Sequence, residues 1–282
     1  MKLSVDIASL IQHNSGQAST YIFDEQLGPK NSNHTLSLLT KHIAALDLSW
    51  ITKVVIFMDS APSTNKNSWL ICWMNEMLIM HQTLQYIRVC FMVVGHTKSM
   101  PDWVFASIAS SMKKTDVFTM DELADVASIY SQSQVTVQND FMDWRKSLES
   151  KYGRYVLHGI TKYHDFRAER RQNSVAILVR ENLDSGDWKE VTLNVKDSVQ
   201  GLPAETICNR QLTSEKLRHL TEMYDRYIPR ERRLSLLPLP YVISKRTVTE
   251  LCCNTEPGTS QLGTRFIREV NKQRTTRLTS SQ

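Results

Sequence analysis

Two short stretches carry side chains suited to metal and phosphate chemistry. An apolar run, Val54-Val55-Ile56-Phe57-Met58, ends in Asp59 and is followed by Asn65-Lys66-Asn67. A second run, Val89-Cys90-Phe91-Met92-Val93-Val94, ends in Gly95-His96-Thr97-Lys98, with Pro101-Asp102-Trp103 just beyond. Apolar runs of this length read as buried strands. In open α/β sheets, sites form at the carboxyl ends of strands. Magnesium-dependent phosphoryl chemistry needs hard oxygen ligands that converge from separate elements. Asp59 and Asp102 are the candidate metal ligands and catalytic acids, and His96 between them could orient water or a ligand. They converge if the strands at 54–58 and 86–94 are neighbours. Ordinary readings stay open beside these. Asp102 can cap its helix, Asp59 can bind backbone donors in the Ser60–Pro62 turn, and His96 can be a hydrogen-bonded loop histidine.

Lys66 and Lys98 could hold phosphates near the same edge, although single lysines in such loops usually serve solubility. The cluster Lys162-Tyr163-His164-Asp165-Phe166-Arg167 mixes aromatic and basic groups. His164 and Arg167 there are candidates for base stacking and phosphate contact. A packed turn with a charged rim is the alternative.

The elements that must position these residues follow from hydrophobic spacing. Ser19–Phe23 reads as a short strand closed by a Gly28-Pro29 turn. Leu36, Leu38, Leu39, Ile43, Ala44 and Leu46 give helical spacing over 34–48. The next helix, near 68–82, is apolar almost all round, and such a helix must be covered on both sides. After the strand at 86–94, a helix opens at Pro101 or Asp102 and runs to about Lys113. Thr119 with Glu122 makes a capping box for a helix at 120–130. Val175–Val179 and Trp188–Val195 read as a β pair, and 213–228 as an amphipathic helix stopped by Pro229. Strands alternating with helices predict a layered α/β fold.

Composition narrows the class. At 41% hydrophobic and 22% charged residues, the chain is ordinary for a globular protein. No apolar run approaches the length of a membrane span, so no membrane partner is expected. Asp6 interrupts any signal-like core at the start. The five cysteines include no Cys-x-x-Cys pair, which points to reduced thiols inside a cell and against a zinc site. Cys72 and Cys90 sit in apolar runs and read as core residues. Residues 200–282 hold 14 Lys/Arg against 8 Asp/Glu, an excess of +6, while the rest of the chain is at −1. A basic tail can track a phosphate backbone; plain solubility is the alternative. From about residue 247 the composition reads as disordered.

Asp59, Asn65-Lys66-Asn67, Gly95-His96-Thr97-Lys98 and Pro101-Asp102-Trp103 with Phe105 resemble a transposon-derived family of animal genomes, domain of unknown function 7869. Its motifs read Asp-Asn-Cys-x-Gly-Gln-Asn-Lys-Asn and Gly-His-Thr-Lys-Phe-x-Pro-Asp-x-x-Phe-Gly. Tyr21-Ile22-Phe23-Asp24-Glu25 and Gly159–Arg167 resemble further shared segments, so the likeness spans roughly residues 20–240. The family is similar to ribonuclease H-like transposase cores, which cut and join DNA with acid-held magnesium; that link is fold-level analogy. The resemblance implies a nuclear protein with nucleic acid as partner, DNA ahead of RNA, and Mg²⁺ as cofactor if activity survives.

Departures lower the expected activity. Ser60-Ala61 stand where the family has Asn-Cys, Ser63-Thr64 where it has Gly-Gln, Ser99 for the phenylalanine and Ala106 for the glycine. The family's earlier aspartate-bearing strand has no counterpart at matching spacing, although Asp6 lies in a strand-like segment. The expected architecture is a ribonuclease H-like mixed sheet flanked by helices over 1–150, incomplete at its start. A smaller α+β extension over 151–246 and a basic tail over 247–282 follow. The expected function is a divergent copy without robust catalysis. A non-catalytic nucleic-acid-binding or protein-interaction module is the alternative.

Overall fold

The computed structural model describes residues 4–28, 30–92, 100–131, 134–138, 140–172, 174–193, 195, 204–207, 210 and 212–230. They divide into two units, residues 1–216 and 217–282. The first is a mixed α/β assembly with two mixed sheets flanked by helices.

The smaller sheet is built from β1 (Val5–Gln12), β2 (Gln17–Asp24) and β5 (Gln134–Val137) in the order β1-β2-β5. β1 and β2 form an antiparallel hairpin whose turn ends at Gly16, at φ +69°. β5 runs parallel to β2. Along β2 the side chains alternate between two cores. Tyr21 and Phe23 pack with Leu38 and Phe141 on one face. Ile22 points to the other, against Val104 and Ile108 of α3 (Met100–Met112) and Leu123 and Ala127 of α4 (Met120–Ser131). The Thr119 cap of α4 forms as its sequence predicts, with Glu122 N donating to Thr119 Oγ1 at 3.1 Å, while the Glu122 carboxylate reaches back one residue further and accepts from Phe118 N at 2.8 Å.

The larger sheet has the order β3-β4-β6-β7-β8, from β3 (Lys53–Met58), β4 (Tyr86–Phe91), β6 (Asp165–Arg170), β7 (Val175–Arg180) and β8 (Lys189–Val191). β3 and β4 are parallel neighbours, as the convergence of their carboxyl ends requires. The remaining pairs are antiparallel. Strands from 165–191, placed by sequence in a C-terminal extension, thus join the same sheet as β3 and β4. The two sheets also interleave along the chain: β1 and β2, then β3 and β4, then β5, then β6 to β8. A helix over residues 34–48 is shorter and earlier here, as α1 (Ser32–Ala44), because Asn31 caps it and His34 closes a capping box that no Glu or Gln announces.

The all-apolar helix is α2 (Ser68–Met80), and it is covered on both sides. It packs on β4, β6 and β7, and its other flank meets α1 and α5 (Trp144–Tyr152). Leu70, Ile71, Trp73, Met74, Met77 and Leu78 are all within 2% of full burial. Each such side chain contributes about 1.5–3 kcal/mol relative to exposure. Trp73 Nε1 donates to Thr40 Oγ1 at 2.9 Å, so the one polar atom of the largest core residue is satisfied. Arg170 closes the C-terminal end of α2. Its guanidinium donates to the carbonyls of Leu78, His81 and Leu84 and to Gln82 Oε1. A cation there also matches the helix dipole.

Two expectations follow for stability. Trp73→Ala should cost about 3–5 kcal/mol in urea unfolding, since it opens a cavity between sheet and helix layer. His34 is buried against Phe23, with ring centroids 5.1 Å apart, and its Nδ1 accepts from Asn31 N at 3.2 Å. Burial lowers its pKa, against the opposing pull of nearby backbone and Asp6. The unfolded chain therefore binds a proton first, near the ordinary ~6.5. Stability held above that pH should fall as pH drops through His34's depressed value. Unfolding midpoints at decreasing pH check this, and His34→Gln should flatten the slope.

Candidate functional site

The carboxyl ends of β3 and β4 meet the amino end of β6. Met58 and Phe91 are register partners, Met92 N donates to Met58 O at 3.1 Å, and Phe91 N donates to His164 O at 2.8 Å. Neighbouring strands lie about 4.8 Å apart, so these three strand ends form one rim.

Asp59 leaves β3 exposed at this rim. Its Oδ1 accepts a hydrogen bond from Asn65 Nδ2, and Asn65 Oδ1 in turn accepts from Thr35 Oγ1 at 3.0 Å. The loop between is tied to itself. Asn65 N and Lys66 N both donate to Ala61 O, at 2.8 and 3.0 Å, and Asn67 Nδ2 donates to Pro62 O at 3.2 Å. Asn67 then caps α2. So Asn65-Lys66-Asn67 orients an acid, places a cation and starts a helix in three consecutive positions.

Lys66 is 5% exposed, against its reading as a solubility residue. Its Nζ donates to Thr161 O at 3.0 Å and lies 5.4 Å from the Phe91 ring centroid. Burial lowers its pKa. An ammonium has three donors, and among the described residues no carboxylate pairs with it. His164 is half-buried, with Nδ1 3.3 Å from Phe91 O. Lys66 and His164 thus both touch Phe91, one at its ring and one at its carbonyl. The segments 65–67 and 159–164, distant in sequence, meet here.

The other sequence-chosen residues fall elsewhere. Arg167 points from the middle of β6, over the Tyr86 ring at 4.7 Å and paired with Glu169 at 2.5 Å. Asp102 is exposed in the first turn of α3, whose core residues pack on the β1-β2-β5 sheet. The two acids therefore do not belong to elements of one sheet. Val104 and Ile108 of α3 pack on Ile22, and that contact commits the helix to the β1-β2-β5 sheet. His96 and Lys98 lie outside the described residues. Among the described residues, no three His, Cys, Asp or Glu side chains gather as a metal site would need.

Sequence reading missed the strongest charge cluster. Asp165 is fully buried on β6. It accepts from Arg88 Nε and an Arg88 Nη at 2.8 Å each, and from Arg180 Nε at 2.7 Å. Asp184, at φ +59°, accepts from both arginines in turn. These bonds raise the Arg88 pKa and lower that of Asp184. Beside them the Cys90 thiol, 3.8 Å from Asp165, is pushed up to about 11 by burial first and the carboxylate second. The available signal was the alternation Asp165, Arg167, Glu169 against Phe166, Ala168, which marks a strand. Asp165→Ala should cost about 3–5 kcal/mol, because two largely buried guanidiniums then keep only the exposed Asp184 as counter-charge. The urea midpoint reads this, and a loss under about 1 kcal/mol would remove the cluster from the structural account.

The sequence profile of the family described as Domain of unknown function (DUF7869) matches residues 1–184, and the chain belongs to that family. Neither the curated proteins nor the solved structures contain a match to this chain.

Proposed function

We propose that this protein is a transposon-derived, ribonuclease H-like domain that binds nucleic acid and lacks robust catalysis. The observation that supports binding is Lys66: a buried cation at a rim of strand ends, whose bond among the described residues is to Thr161 O, with no carboxylate among them paired to it. Burying an ammonium without a counter-charge is costly, and a phosphate at the rim supplies that charge. His164 stands beside it as a second polar contact. The +6 excess over residues 200–282 adds sequence-independent attraction for a polyanion.

Magnesium-dependent phosphodiester cleavage is the ancestral reading, and exposed Asp59 at the end of β3 is what favours it. The described donors do not amount to a two-metal site, because Asp102 rides on a helix docked to the other sheet. No catalytic step is assigned.

Binding of labelled DNA and RNA, measured by anisotropy over a salt series, tests the proposal. Log affinity should fall linearly with log salt. Lys66→Met should weaken binding about tenfold or more while keeping the wild-type unfolding midpoint, since Met fills the same apolar slot. Salt-insensitive binding, or none, rejects it. A nicking assay with magnesium completes the test: wild type, Asp59→Ala and Asp102→Ala should be equally inactive. Cleavage abolished by either substitution would restore the enzymatic reading.

A further inference from the structure

A cleft of about 390 Å³ opens where the N-terminus of α2 faces α5 and the chain after it. Its size falls in the range of small-ligand sites, roughly 300–1,000 Å³. Two guanidiniums line it, Arg145 and Arg154, with a single carboxylate, Glu149. Arg145 lies over the Trp69 ring, 5.8 Å from its centroid. Arg154 Nε is held by Glu149 Oε1 at 3.0 Å, with its side chain otherwise 89% exposed. Tyr155 adds a partly buried aromatic wall. Asn67, the cap of α2, forms the wall shared with the Asp59–Lys66 loop.

We propose that this cleft binds a nucleoside monophosphate unit, free or within a single strand, with the base on the Trp69–Arg145 face and the phosphate at Arg154. The positions fit that class. A guanidinium within cation–π reach of an indole offers a base both a planar cation and an aromatic ring. A second guanidinium in the same cleft suits an oxyanion. The net positive lining disfavours a cationic or purely apolar occupant. The strand-borne form of the ligand rests on the nucleic-acid reading above; binding of the free nucleotide does not.

Calorimetric titration with adenosine 5′-monophosphate, adenosine and inorganic phosphate tests this. The monophosphate should bind with a Kd of about 1 mM or tighter, and the other two at least about tenfold more weakly. Arg145→Met and Arg154→Met should each weaken monophosphate binding about tenfold. Both are surface positions, and circular dichroism confirms the fold. Arg145→Lys keeps the charge but loses the planar guanidinium, and should recover only part of the affinity. Lys66→Met should leave monophosphate binding unchanged. Monophosphate binding no tighter than that of phosphate, or unchanged in both Arg→Met variants, overturns the inference. An oligonucleotide arm separates the sources: if only the free nucleotide binds, the nucleic-acid reading fails and the cleft stands.

Discussion

The architecture turns on helix α2 burying most of its circumference. Leu70, Ile71, Trp73, Met74, Met77 and Leu78 fill one broad face, and Cys72 on the opposite side is equally buried. One sheet can hide only half of such a cylinder. The rest must be hidden by α1 and α5, and their amino ends are locked to each other. Asn33 Nδ2 donates to Asp143 Oδ1 and Arg145 N donates to Asn33 Oδ1, each at 2.8 Å. That lock places Arg145 above Trp69, while the cap that starts α2 fixes Asn65 and Lys66 at the rim. Core and surface chemistry therefore share one cause: the need to cover this helix sets where the basic side chains end up.

Buried charge is handled in two opposite ways on the larger sheet. Asp165 is surrounded by donors from Arg88 and Arg180, and the cluster is closed. Lys66 is also withdrawn from water but, among the described residues, meets one carbonyl and an aromatic face. A saturated cluster holds strands in register. An unsaturated one is open to a ligand. The distinction gives Asp165 a structural role and leaves Lys66 as the proposed contact, although nothing in the sequence marks which of the two has its charge matched.

Legibility tracked hydrophobic signal strength. β3, α2, β4 and β7 carry long apolar runs and fall where their spacing puts them. α5 was missed because only Trp144, Leu148 and Tyr152 are apolar, yet their spacing of four, with Asp143 before and Gly153 after, is a complete helix signature. β6 was read as a polar cluster because only Phe166 and Ala168 face the core. The hairpin of β1 escaped notice since its residues are half-buried on both faces. At the rim, Asp59 and Lys66 were found because they sit beside strong strands. The partner sheet for α3 was not legible: helix packing depends on which faces meet, and spacing within one helix does not name its neighbour.

The interleaving of the two sheets has a kinetic consequence. Arg88 and Asp165 are 77 positions apart, and between them lie α3, α4 and β5, all owed to the other sheet. Neither sheet can close before the chain has been threaded through both. Long loops must be ordered before the contacts that reward them exist. During synthesis on the ribosome, β4 waits with one edge vacant until β6 emerges, and the nascent chain is then most open to chaperones, proteases and mispairing.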